Sequence, residues 1–302
     1  MKLKAAVKTK NKRMKSAKQH ERIVSWAFLS PSLIGVLVFF ILPFLVVIYY
    51  SLIDNPINKE FVFLDNFINV LRNTAFQTAA KNTALFSAIA VPLAVVLSLL
   101  LAMLLDSDIP FLSQFRTSFL SPMMVPVASV VLIWQVIFHF NGALNIVVQQ
   151  FGFDKIDWIK SEYNRIVIVV LFLWKNLGYN MILFLAAINN IPRDLLEVST
   201  IEGAGAFKQF IYIKLRYLSP TILFVTILSL INSFKVFREV YLLAGSYPYD
   251  GIYFLQHFMN NTFESLDLQK LSSAAIIMSV VMIIIIGLMF IIENNFGKDV
   301  EG

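Results

Sequence analysis

The chain has 302 residues, of which 58% are hydrophobic and 15% charged, and its formal net charge is +6. Together with a mean hydropathy of +0.73, this composition excludes a soluble globular domain, because such domains are only about 45–50% apolar. The absence of cysteine excludes a disulfide framework and thiolate metal sites, and the three scattered histidines give no metal-ligand spacing.

Residues 1–22 form a basic leader with nine Lys or Arg and one acidic residue, Glu21. The apolar segment after it is too long for the core of a secretory signal peptide, and no small-residue cleavage pattern follows. We therefore expect a retained cytoplasmic leader over residues 1–25. Because the positive charge is concentrated at this end of a membrane protein, it does not indicate nucleic-acid binding.

Six apolar segments follow, and each is long enough to cross a bilayer core of ~30 Å. We expect an all-α membrane protein whose membrane domain covers residues 26–293 and is followed by a short cytoplasmic tail, residues 294–302. The segments are expected at about Trp26–Leu52, Thr83–Leu105, Phe115–Phe138, Ile166–Ile188, Tyr217–Leu243 and Leu271–Ile292.

The Lys and Arg residues between these segments predict the orientation. With the N-terminus in the cytoplasm, the cytoplasmic parts of the chain outside these segments carry 14 Lys or Arg and the external parts carry seven. Cytoplasmic loops are enriched in these residues, so both termini are expected in the cytoplasm of a bacterial cell, with the chain in its inner or plasma membrane. In the external segment 53–81, Ile68, Leu71 and Phe76 are expected to form an apolar face at the membrane surface.

The fourth segment is the most polar of the six. Lys175 lies near its middle, where a lysine that faced lipid would cost about 3 kcal/mol. Polar and small residues surround it on several faces, so the helix either makes hydrogen bonds to neighbouring helices or lines a wet cavity, and both explanations stay open here. The neighbours of Lys175 are Trp174, Asn176, Gly178, Tyr179 and Asn180.

The fifth segment carries a stripe of small and polar residues. Asn232, Ser233 and Val236 lie three, four and seven positions after Ser229, which places all four on one helix face. With Asn, Ser, Tyr and Trp side chains from the two segments, the expected cavity is neutral and suits a ligand rich in hydroxyl groups.

Three charged residues lie near the outer end of the fifth segment. Lys235 and Glu239 are four residues apart and are expected to pair, unless the Lys235 side chain extends outward to the membrane surface. We assign Lys235, Arg238 and Glu239 a structural or outer-gate role rather than a role in binding solute.

The polar stretch between segments four and five, residues 193–220, carries the most specific pattern. Glu197 is followed five positions later by an acidic-Gly-Ala triplet at 202–204, and then by spaced Phe, Ile and Leu residues up to Pro220. This pattern resembles the loop signature of the inner-membrane permease subunits of binding-protein-dependent ABC importers. The departures from that signature are Val198 and Ser199 in place of Ala, Glu202 in place of Asp, and Arg216 in place of Pro.

The resemblance implies a cytoplasmic helix–turn–helix that inserts into a groove of an ATP-hydrolysing subunit. A first short helix is expected over Leu195–Ile201, and a second from Phe207. Gly203 suits the turn between them, because glycine has no Cβ that opposes a positive φ. The residues expected to couple the chain to the ATPase are Glu197, Ser199, Glu202, Gly203, Ala204 and Gly205.

The resemblance extends over about Trp26 to Ile292, and it also implies where solute binds. In maltose-type permeases the corresponding parts of helices four and five carry the sugar-binding residues. The side-chain types differ here at several positions, so a different sugar is expected. The candidate substrate-binding residues are Trp174, Asn176, Gly178, Tyr179, Met181, Ser229, Asn232 and Ser233.

The chain contains neither a G-x-x-x-x-G-K-[ST] loop nor a nucleophile–base constellation, so we expect a transport subunit and not an enzyme. No cofactor is expected in this chain, and ATP and Mg²⁺ are expected to bind to partner ATPase subunits. The resemblance implies a heterodimer with a second, homologous permease, two ATP-binding subunits and an extracellular or lipid-anchored solute-binding protein.

A sugar or oligosaccharide is the solute that the resemblance implies. A permease for glycerol-phosphate or another polar solute is an alternative, in which Lys175 and Lys235 would bind the anion. A secondary transporter is a different class, against which the sequence offers no inverted internal repeat and no acidic proton relay within the membrane. A membrane enzyme is disfavoured by the missing catalytic constellation.

Overall fold

The computed structural model describes residues 21–22, 24–106 and 112–297. This part of the chain is helical and contains no β-sheet, apart from one isolated bridge between Ile53 and Phe61. Six helical spans in it are long and apolar enough to cross a membrane, so the prediction of an all-α, six-span protein is confirmed. Most of the expected leader, residues 1–25, and the end of the expected tail, residues 294–302, lie outside the described residues.

We number the helices in chain order. A π-helical turn lies within α1 at Leu37–Ile41, and another, Phe210–Lys214, joins α9 to α10. The helices are α1 (Val24–Ser51), α2 (Asp65–Arg72), α3 (Thr74–Leu105), α4 (Leu112–Met124), α5 (Val127–Phe138), α6 (Ala143–Gln150), α7 (Asn164–Asn189), α8 (Arg193–Ile201), α9 (Ala206–Gln209), α10 (Leu215–Lys235), α11 (Phe237–Ala244), α12 (Leu255–Glu264) and α13 (Leu268–Gly297).

The second span, α3, begins nine residues before its expected start at Thr83. Asn73 caps it, because the Asn73 side chain accepts a hydrogen bond from the backbone N–H of Phe76. Phe76 is therefore part of α3, where it is buried against Phe258, while Ile68 remains exposed on α2. The expected apolar face of Ile68, Leu71 and Phe76 at the membrane surface is wrong for Phe76, because its side chain is buried in the bundle while those of Ile68 and Leu71 are exposed.

The third apolar segment, expected as one helix over Phe115–Phe138, is broken into α4 and α5. The break lies at Val125 and Pro126, where the backbone is extended at Pro126 (φ −55°, ψ 139°). Proline lacks a backbone N–H and disfavours a helical conformation at the preceding residue, which accounts for the break. The corresponding candidate span covers Val127–Gln150.

The fifth apolar segment was expected to begin at Tyr217, but the helical span covers Ala206–Ala244. The polar stretch therefore continues directly into the membrane span through the π-helical turn at Phe210–Lys214. Arg216, unlike proline, keeps a backbone N–H that a helix requires, so nothing interrupts the helix there.

The core lies where α3, α7 and α10 meet. One cluster of this core contains Leu99, Met181, Phe184 and Leu218, all of which are buried. Small residues allow these helices to approach closely, as is usual in membranes, where packing rather than hydrophobic burial drives helix association. The fully buried alanines of α3 are Ala79, Ala90, Ala94 and Ala102.

The two ends of the helix bundle are held by different contacts. We call the end that carries residues 193–214 the lower end, and the end that carries residues 245–267 the upper end. At the upper end, Asn82 donates a hydrogen bond to the carbonyl of Tyr253 (3.1 Å), and Arg165 donates one to the carbonyl of Gly251 (3.2 Å). These contacts fix the 245–253 loop to α3 and α7.

Asn145 organises the other long connection at the upper end. Its side-chain amide donates to the carbonyls of Phe140 and Ile156, and its oxygen accepts from the backbone N–H of Ile156 and from the indole N–H of Trp158. The side chain is buried, and these four bonds at 2.8–3.1 Å satisfy it. The loop between α6 and α7 therefore has a defined shape.

Candidate functional site

The 193–214 loop is a compact helix–turn–helix, as the sequence predicts. Helix α8 covers Arg193–Ile201, and the chain then turns at Gly203, which has a φ of +82°. The N–H of Gly203 bonds to the carbonyl of Thr200 (3.0 Å), and the N–H of Ala204 bonds to the carbonyl of Ser199 (2.9 Å). This is the Schellman arrangement, which requires a residue that tolerates positive φ.

Gln209 joins the two arms of this loop. Its side-chain N–H₂ lies within hydrogen-bond distance of the Leu196 carbonyl (3.2 Å), the Ser199 hydroxyl (3.0 Å) and the Thr200 hydroxyl (2.9 Å). Ser199 itself is buried and donates to the Leu196 carbonyl. The structure therefore gives Ser199 an internal position in the loop, and it identifies Gln209 as a residue that the sequence analysis missed.

The outer surface of the loop is apolar and exposed. Ile201 is 86% exposed, Phe207 is 77% exposed, and Val198 is also open to solvent. Glu197 and Glu202 are exposed beside them. Exposed apolar groups in one place are typical of a surface that binds another protein.

The base of the loop is fixed to the second span. The ammonium group of Lys214 lies 3.5 Å from the carboxylate of Asp106, the residue that follows α3. Above this ion pair the helix continues without a loop to Lys235. The 193–214 loop is therefore joined directly to the fifth span and held to the second.

A cavity of about 250 Å³, which we call the central cavity, lies between α4, α7, α10 and α11. One wall carries a pair of amides, in which Asn232 donates to the side-chain oxygen of Asn176 (2.9 Å). The amide of Asn176 in turn donates to the carbonyl of Phe172 (2.8 Å). The residues that line the cavity are Met123, Leu171, Phe172, Lys175, Asn176, Tyr179, Asn232, Lys235, Val236, Arg238 and Glu239.

The central cavity is charged, and the expectation of a neutral cavity is wrong. Lys175 of α7 forms an ion pair with Glu239 of α11, whose side chain is only 4% exposed. The expected pair of Lys235 with Glu239 does not form, because the regular helix ends at Lys235 and restarts at Phe237, which disturbs the i, i+4 spacing. Lys235, Arg238 and Glu239, which were expected to have a structural or outer-gate role, all line the cavity. Only the alternative of an anionic solute had given Lys235 a binding role.

Three of the eight candidate substrate-binding residues line the central cavity, namely Asn176, Tyr179 and Asn232. Ser229 and Ser233 are instead buried in contacts between helices. Ser229 accepts a hydrogen bond from Asn180 (2.9 Å), and Ser233 shares one with Ser87 (2.8 Å).

The other three candidates lie in packing contacts. Met181 is fully buried in the core. Gly178 lies beneath α4, where a Cβ would overlap the backbone carbonyl of Phe119. Trp174 packs edge-on against Trp134 of α5, with 6.3 Å between the ring centroids. None of these three residues lines the central cavity in this conformation.

Comparisons with known proteins agree with this architecture. Residues 94–302 match the family model described as "Binding-protein-dependent transport system inner membrane component". The arabinooligosaccharides transport system permease protein AraP of Bacillus subtilis (strain 168) is 30% identical over 231 residues, which cover 74% of this chain and 72% of AraP. The sn-glycerol-3-phosphate transport system permease protein UgpA of Escherichia coli O6:K15:H31 (strain 536 / UPEC) is 27% identical over 219 residues, which cover 70% of this chain and 74% of UgpA.

The fold also matches a solved transporter. A bacterial ABC transporter involved in the import of the acidic polysaccharide alginate has a chain that aligns with a TM-score of 0.79 at 20% identity. The alignment covers 92% of this chain and 98% of that one. With the family model matched over more than half of the residues, the chain belongs to the binding-protein-dependent transport system inner membrane components, which are membrane permease subunits of ABC importers and rely on a separate ATPase for ATP hydrolysis.

Proposed function

We propose that this chain is one of two different permease subunits of an ATP-driven importer for a sugar or oligosaccharide. The relative AraP, which is named for arabinooligosaccharides, supports a saccharide as the solute. The solute would come from an extracellular binding protein, pass through the central cavity and be released into a bacterial cell. Two ATP-binding subunits would supply the energy.

One observation carries this proposal, namely the continuous helical connection between the 193–214 loop and the central cavity. The span that covers Ala206–Ala244 begins in the loop and contributes Asn232, Lys235 and Glu239 to the cavity wall. Because Gln209 holds α8 against the start of this span, a partner that moves α8 moves the cavity wall as well.

The proposed mechanism uses this connection. ATP-driven closure of the ATPase pair displaces Glu197–Ala204, with Ile201 and Phe207 seated in the groove of the ATPase. The displacement swings spans four and five as rigid bodies and exposes the central cavity to one side of the membrane and then the other. The loop lies in the cytoplasm in this scheme, as the distribution of Lys and Arg predicts, and the upper end faces the binding protein.

The test is transport by the assembled complex in proteoliposomes, with the binding protein outside and ATP inside. We expect ATP-dependent uptake of a labelled saccharide, and ATP hydrolysis that the loaded binding protein stimulates. Ile201→Asp should abolish both uptake and stimulated ATP hydrolysis, because it puts a charge into the surface that docks on the ATPase. Since Ile201 is highly exposed, the substitution should not disturb the fold of the loop. Phe153→Asp is the matched control, since Phe153 is also highly exposed but lies at the upper end, and it should leave the unstimulated ATPase activity intact.

Uptake by this chain alone, driven by an ion gradient, would contradict the proposal and favour a secondary transporter. Glu239, a buried carboxylate that pairs with Lys175, is the group that we would expect such a mechanism to use. Replacing Glu239 by Gln distinguishes the two, because a gradient-driven carrier would lose its proton dependence while an ATP-driven importer has none to lose.

A further inference from the structure

The charge of the central cavity is the starting point of a further inference. Lys175, Lys235 and Arg238 are cationic and Glu239 is anionic, so the cavity wall carries a formal charge of +2. The pair of Lys175 with Glu239 accounts for one charge of each sign. Both excess positive charges therefore reside on Lys235 and Arg238.

Neither of these two cations is neutralised within the part of the chain that the structure describes. The ion pairs there are Lys175 with Glu239 and Lys214 with Asp106, and no hydrogen bond from the side chain of Lys235 or Arg238 occurs in it. Both side chains are exposed, and they are only three positions apart at the junction of α10 and α11. Two exposed cations that line one cavity and have no partner in this part of the chain are free to bind a ligand there.

A second observation concerns the carboxylate of Glu239, which has room to accept a hydrogen bond from a hydroxyl group of the solute. The Oε2 atom of Glu239 is shielded from solvent and has no hydrogen-bond partner within the described residues, although Oε1 is held by Lys175. A buried carboxylate oxygen without a donor is unfavourable, because it has given up its hydrogen bonds to water. A small rotation of the carboxylate would present Oε2 to a hydroxyl in the cavity, beside the amides of Asn176 and Asn232.

We propose that the transported solute carries an anionic group in addition to hydroxyl groups, and that Arg238 and Lys235 bind the anion. A carboxylate, sulfonate, sulfate or phosphate fits, since the guanidinium of arginine binds such groups in a bidentate manner and lysine acts as a point charge. This inference rests on the proposed function and narrows its solute to an acidic saccharide. The hydroxyls of that saccharide are received by Glu239, Asn176 and Asn232.

The experiment identifies the solute and then tests the two cations with it. The complex that contains this chain is purified with its binding protein, and the solute released from the binding protein is analysed by mass spectrometry and anion-exchange chromatography at pH 7. We expect a saccharide that the anion exchanger retains. Uptake of that solute at sub-saturating concentration should fall at least tenfold in Lys235→Gln/Arg238→Gln, whereas Arg22→Gln, which removes an exposed cation before α1 that does not line the central cavity, should leave uptake unchanged.

The outcomes separate this inference from the proposed function. A neutral saccharide overturns the inference and leaves the proposed function standing. An acidic compound that is no saccharide overturns the saccharide part of both proposals and leaves only the binding of the anion by Lys235 and Arg238 to be tested with that compound. Loss of the second permease from the purified Lys235→Gln/Arg238→Gln complex would show that the cations pair with the partner chain, and would overturn the inference. The uptake assay is repeated in liposomes of phosphatidylcholine alone, and disappearance of the variant's defect there would assign the cations to anionic lipid head groups and overturn it as well.

Discussion

Two glycines of the 193–214 loop differ in the backbone conformation that they adopt. Gly203 has a φ of +82°, and Gly205 has a φ of −71° with open space around it. Gly203→Ala should therefore destabilise the turn by about 1–2 kcal/mol, while Gly205→Ala should change its stability by less than about 0.5 kcal/mol. Hydrogen exchange of the 196–209 backbone, measured by mass spectrometry, reports both, and equal exchange in the two variants would refute this account of the turn.

Gly178 is a second position where a single methyl group decides the packing. A Cβ there would overlap the carbonyl of Phe119, so Gly178→Ala should force α4 away from α7 and destabilise the protein by about 1–3 kcal/mol. Gly287→Ala is the control, since a Cβ at 287 meets nothing within 4 Å. We expect a lower apparent Tm in detergent for the first variant alone. An unchanged Tm for Gly178→Ala would mean that α4 is not seated there.

At the scale of elements, the pair of Lys175 and Glu239 joins α7 to α11. Lys175→Met leaves a buried carboxylate without a counter-ion and should destabilise the protein by about 3–5 kcal/mol. Lys175→Met/Glu239→Gln should recover most of this loss, because no buried charge remains. The check is a double-mutant cycle of thermal unfolding, and additive effects of the two substitutions would contradict a direct pair. Because Lys175→Met destabilises the protein, a loss of uptake in this variant would not show that Lys175 binds an anionic solute.

Helix α12 contains a fully buried histidine at the upper end, outside the candidate membrane spans. Burial lowers the pKa of His257 to about 4, and its Nδ1 accepts a hydrogen bond from the backbone N–H of Phe254. The folded state thus binds fewer protons than the unfolded state, so stability is lost as pH falls from about 6.5 towards 4, by about 2 kcal/mol at pH 5. Protection factors of α12 measured between pH 7.5 and 5 should show this loss.

His257→Asn provides the matched variant for that measurement. The asparagine oxygen can replace Nδ1 as the acceptor for Phe254 but does not titrate, so the pH dependence of α12 should disappear while its protection at pH 7.5 is largely kept. A pH dependence that persists in His257→Asn would assign it to another group.

Most elements were predictable from the sequence because length and apolar composition suffice for a membrane span. The errors occurred where a polar helix extends beyond the apolar run, as at the starts of α3 and of the Ala206–Ala244 span, since hydropathy does not detect such extensions. The break at Pro126 was also missed, because membrane helices often tolerate proline and the sequence does not say which proline interrupts one.

At the scale of the whole molecule, the two parts of the candidate site differed in how far the sequence could predict them. The 193–214 loop was predictable, because its turn depends on local residues such as Gly203. The central cavity was predicted only in part, since its charges come from contacts between helices. Lys175 reaches Glu239 across 64 positions, and neither a helix-spacing argument nor composition could select this partner over Lys235.

The central claim is that this chain is a permease subunit that binds an ATPase through the 193–214 loop. The most direct measurement is purification of the tagged chain from its native membrane in a mild detergent, followed by mass spectrometry of its partners. We expect an ATPase subunit and a second six-span permease with the native chain, and the second permease without the ATPase for Ile201→Asp. Recovery of the chain alone or only as a homodimer, or retention of the ATPase by Ile201→Asp, would contradict the account.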